Sequence, residues 1–104
     1  MTSQQLGQLE YMKNAATNAM NIYVDMDRLA RLDFKDPKNV VTAVNFFRQR
    51  GYNELRGVNT PAEFKKNIKE ARDLYFRLAK DYESKYDELY QQIYFPHAVH
   101  QVGY

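Results

Sequence analysis

An all-α fold is predicted, an elongated antiparallel helical hairpin of two long helices with a short helix between them and coiled-coil-like packing. Three observations predict it. Apolar residues recur at alternating steps of three and four along both ends of the chain, the period of one helix face. Residues that start and stop helices stand at the junctions between these stretches. With four glycines and three prolines in 104 residues, the chain has too few turn formers for a β-sandwich or barrel. This length supports one domain, residues 1–95, followed by a C-terminal tail, 96–104.

The first helix is expected over about residues 2–32. Leu9, Met12, Ala16, Ala19, Tyr23, Met26 and Ala30 form its stripe, and Thr2 with Gln5 three residues later forms a capping box. Ala16 and Ala19 are small enough to admit a neighbouring helix, and Met12, Met20 and Met26 can fill irregular gaps. DFKDPKN interrupts the pattern. There Asp36 caps the second helix, residues 37–50, and Pro37 occupies its first position, where a missing N–H is harmless. Val40, Val41, Val44 and Phe47 are expected on its core face, and Gly51 just past its end. GYNELRGVN is the one loop signal. In NTPAEF, Thr60 caps, Pro61 follows and Glu63 closes a second box, which opens a third helix over 61–95. Neither Gly nor Pro interrupts residues 62–95, so this helix measures about 50 Å at 1.5 Å per residue. Its stripe runs through Phe64, Ile68, Ala71, Leu74 or Tyr75, Leu78, Tyr82, Tyr86, Leu89 and Ile93, and Pro96 stops it.

Cysteine is absent, which removes disulfides, thiolate metal sites and a cysteine nucleophile. MTSQQLGQLEYMKN lacks the basic and apolar segments of a secretory signal. No apolar stretch approaches the roughly 20 residues that span a bilayer. A soluble protein is expected, intracellular (cytoplasmic) or part of a virion. The net charge of +2 is unevenly spread: residues 28–77 hold twelve Lys or Arg against six acids, and both ends are acidic.

No catalytic set is legible, and no cofactor or metal is expected. Ser3 and Ser84 have no catalytic motif around them, Ser84 sits between charged residues of an expected helix surface, and no phosphate loop or metalloprotease motif occurs. His97 and His100 are a pair in the tail, short of the three or four ligands a metal site needs.

Two binding surfaces remain. YESKYDELYQQIY places tyrosines at 82, 86, 90 and 94. A step of four residues advances 400°, so the row drifts by roughly 40° per turn. Tyr82 and Tyr86 therefore continue the core line, and Tyr90 and Tyr94 move to a flank. Tyrosine buries a large ring while its hydroxyl tolerates water, the property of an interface anchor. Tyr86, Tyr90, Tyr94 and Phe95 are the predicted protein-interface residues. Arg48, Arg50, Arg56, Lys65, Lys66 and Lys69 form the alternative, an anion or nucleic-acid site of concentrated positive charge. The sequence thus favours a non-enzymatic assembly or adaptor protein that binds protein partners or itself, with nucleic acid second and no membrane or small-molecule substrate.

Overall fold

The computed structural model describes residues 2–52 and 58–96. Three helices make up its regular structure, α1 (Ser3–Ala30), α2 (Pro37–Arg50) and α3 (Pro61–Tyr94), and the described residues contain no strand. The all-helical hairpin expected from the sequence is the observed fold.

The helix ends form where local chemistry places them. Thr2 Oγ1 accepts from the Gln5 N–H at 3.2 Å, and Gln5 Oε1 accepts from the Thr2 N–H at 3.0 Å, a reciprocal capping box. α1 ends at Ala30, the last residue of its stripe and two residues short of the expected bound. Arg31 and Leu32 donate to Arg28 and Leu29, three residues back, so the last turn tightens and the α-helical bonding ends. Asp36 Oδ1 caps α2 through the Lys38 N–H at 3.0 Å. Gly51 ends α2 at φ 69°, a left-handed conformation that costs glycine nothing, and its N–H reaches back to Arg48. At α3, Thr60 Oγ1 accepts from the Glu63 N–H at 3.2 Å as expected. The returning Glu63 carboxylate takes the Asn59 N–H at 2.9 Å, one residue before the cap.

The chain divides into two compact units, Ile22–Leu74 and the remainder, Met1–Asn21 with Tyr75–Tyr104. Each unit holds the opposite ends of α1 and α3, so the two helices run antiparallel. Among the described residues of Ile22–Leu74, nine apolar side chains are buried: Met26, Leu29, Ala30, Phe34, Ala43, Phe47, Phe64, Ile68 and Ala71. Aromatic rings organise that core. Phe47 meets Phe64 edge-on at 5.0 Å and Tyr52 at 5.4 Å, and Phe34 lies 5.5 Å from Phe64. Phe34 belongs to the connection between α1 and α2, where periodicity gives no sign of burial. Lys65 Nζ donates to the Leu32 carbonyl at 2.9 Å and lies 5.8 Å from the Phe34 ring, fastening α3 to that connection.

The face of α2 differs from the expected one. Val41 is 58% exposed, while Ala43 is fully buried. Val40 and Val41 stand about 100° apart on the helix, and with Phe47 fixed in the core only Val40 can share its side. In the same way Leu74 is exposed and Tyr75 half-buried, which resolves the alternative left open on α3.

The other unit is thinner. Among its described residues only Leu9, Ala19 and Ala79 are buried apolar side chains. Met12, Ala16, Tyr75, Leu78, Tyr82, Tyr86, Leu89 and Ile93 are half-buried. Two helices can each cover one stripe of the other and no more, so long side chains along that seam keep part of their surface in water.

Candidate functional site

The C-terminal turns of α3 hold an ordered row of aromatic rings. Uninterrupted helix places Tyr82, Tyr86, Tyr90 and Tyr94 one above the next. Their exposure follows the angular drift: Tyr82 and Tyr86 are half-buried, Tyr90 is 37% exposed, Tyr94 45% and Phe95 51%. The rings pack on one another. Tyr86 stacks on Tyr90 with centroids 6.1 Å apart, Tyr90 lies 4.6 Å from Tyr94, and Phe95 is 6.4 Å from Tyr90. Tyr90 therefore touches three rings. Phe95 is held near them by its N–H, which donates to the Gln91 carbonyl at 2.8 Å and continues the helical bonding past Tyr94.

Tyr82 faces α1. Its ring meets Tyr11 edge-on at 6.3 Å, with an interplanar angle of 83°. A hydrogen bond shared with Tyr11 and the repulsion of a second phenolate there raise the Tyr82 phenol above its ordinary range, helped by partial desolvation and by Asp81. A raised pKa means that the folded state favours neutral Tyr82. The resulting stability is complete below the unfolded value of about 10 and disappears as pH rises through the higher folded value. In an alkaline titration followed by tyrosinate absorbance, Tyr11→Phe should bring the ionisation of Tyr82 to lower pH. An unchanged titration in that variant would remove the Tyr11 contact as the cause.

Charge around the rings is mainly acidic. Lys80 pairs with Glu83 at 3.6 Å and lies over Phe76, and Lys85 lies over Tyr82. Asp87 and Glu88 have no ion pair among the described residues. Beside the row runs an open groove of ≈ 320 Å³, lined by Lys13, Ala16, Thr17 and Met20 with Glu83 and Tyr86. Sequence reasoning marked Ala16 for close helix approach and Met20 as a gap filler. Their part in a groove that shares Tyr86 with the row depends on two helices and was not legible.

The basic residues are less concentrated than their sequence positions suggest. Arg48 and Arg50 lie in the last turn of α2, two residues and so about 200° apart, which directs them to different sides. Arg50 stacks over Phe46 at 5.0 Å. Lys65 is half-buried and bonded to Leu32, whereas Lys66 and Lys69 are exposed. Arg56, His97 and His100 lie outside the described residues. Among the described residues no group of three His, Asp or Glu could hold a metal ion, and no helix is long and apolar enough to cross a membrane.

No protein-family model matches the chain, and no curated protein or solved structure matches it.

Proposed function

We propose that the protein is a non-enzymatic assembly or adaptor subunit whose α3 end docks a protein partner, as a virion component or an accessory subunit of a larger complex. One observation carries the reading: Tyr86, Tyr90, Tyr94 and Phe95 are packed into an ordered row, of which Tyr90, Tyr94 and Phe95 are exposed. Rings already held against one another lose little rotamer freedom on binding, which is how aromatic anchors gain affinity. The thin core of the same unit adds support, because half-buried apolar side chains along its seam gain from being covered. The nucleic-acid alternative has weaker support. Lys65 is engaged within the fold, Arg48 and Arg50 point apart, and the aromatic row sits among carboxylates that repel phosphate.

The test is Tyr90→Ala with Tyr94→Ala in the full chain, assayed against the complex that the native protein forms. Loss of two anchors should weaken association by about 30-fold or more, the equivalent of roughly 2 kcal/mol at an interface hot spot. The helical circular dichroism should stay unchanged, since both side chains are exposed. Association at wild-type strength would overturn the proposal.

A further inference from the structure

We propose that the aromatic row docks onto a second copy of this chain, through the outer face of α2. The inference rests on the reading of the row as a contact surface and adds the identity of what it contacts. Lys38, Val41, Asn45 and Arg48 recur at steps of three and four and are all exposed, so they form one outward face. Val41, the most exposed large aliphatic side chain described, lies within it between two cations. Neither Lys38 nor Arg48 forms a side-chain ion pair among the described residues.

This face complements the row in charge. At 100° per residue, Glu83 and Asp87 fall on the same flank of α3 as Tyr90 and Tyr94; Glu83 is paired there with Lys80, and Asp87 has no ion pair among the described residues. The flank therefore offers rings and carboxylates, and the α2 face offers an aliphatic side chain between cations. Lengths also agree: Lys38 to Arg48 spans about 15 Å, and Glu83 to Tyr94 about 16 Å. Like faces do not suit each other. Two rows placed together oppose their carboxylates, and two α2 faces oppose their cations, which is unfavourable where charges meet. Unlike faces are therefore the favoured pair. Such a contact is heterologous, leaving each copy with one face still open.

Sedimentation velocity of the full chain tests this. Wild type should self-associate with rising concentration, and more weakly as salt is raised. Lys38→Glu with Arg48→Glu should sediment as a monomer, and so should Tyr90→Ala with Tyr94→Ala. Mixed together, these two variants should form a dimer that grows no further, because one supplies an intact row and the other an intact α2 face. A mixture that remains monomeric while wild type associates overturns the pairing, as does wild-type association by the Lys38→Glu, Arg48→Glu variant. A wild type that is monomeric throughout also overturns it. In that case the row survives as a contact surface if another protein still requires Tyr90 and Tyr94, and fails if none does.

Discussion

Phe47→Ala should destabilise the protein by about 3–5 kcal/mol, the range for removing a buried aromatic side chain from a packed core. Phe47 is fully buried and meets both Phe64 and Tyr52 edge-on. Truncation removes its transfer free energy, opens a cavity beside Phe64 and Tyr52, and ends both ring contacts. Natural domains hold only about 5–15 kcal/mol in total, so a large share of the stability is at stake. For a chain of this size each kcal/mol moves the thermal midpoint by about 4–8 °C, which calorimetry or circular dichroism reads directly. A loss below about 1 kcal/mol would show that the ring is not packed as described.

Ala79→Leu should cost about 1–3 kcal/mol by the opposite route, overpacking. Ala79 is fully buried in the unit built from the start of α1 and the end of α3. Its methyl marks a point where the helices approach closely, and three further carbons force neighbouring side chains off their rotamers or move a backbone. On an exposed helix position the same change would be close to neutral, because leucine and alanine both favour helix. Urea unfolding should show a lower midpoint. An unchanged midpoint would mean that Ala79 faces open space.

The contrast between these residues shows what a sequence makes legible. Phe47 is apolar, large and in phase with Val40 and Val44, so its burial could be read from spacing. Ala43 and Ala79 are as deeply buried. Alanine suits both surface and core, so its own chemistry gives no signal. Phe34 escaped for a different reason. It lies in a connection without period, and its burial depends on Phe64 and Lys65 arriving from α3. At the candidate site, the outward drift of Tyr90 and Tyr94 was legible because it is set by the angle per residue alone. The groove beside Tyr86 was not, because α1 supplies Ala16 and Met20.

By itself the sequence determined the three helices and nearly all their ends. A cap is a bond between groups within a few positions, as at Thr2 with Gln5, Asp36 with Lys38, and Gly51 at φ 69°. It determined too that the last tyrosines turn away from the core line. Only the tertiary structure decided which of two adjacent apolar residues is inside. Val41 and Leu74 are exposed while Val40 and Tyr75 are partly covered, because a buried face is chosen by the helix that packs on it. That choice left Val41 exposed between Lys38 and Arg48, one of the two faces proposed to meet, whereas the other, with Asp87 beside Tyr90 and Tyr94, follows from the angle per residue.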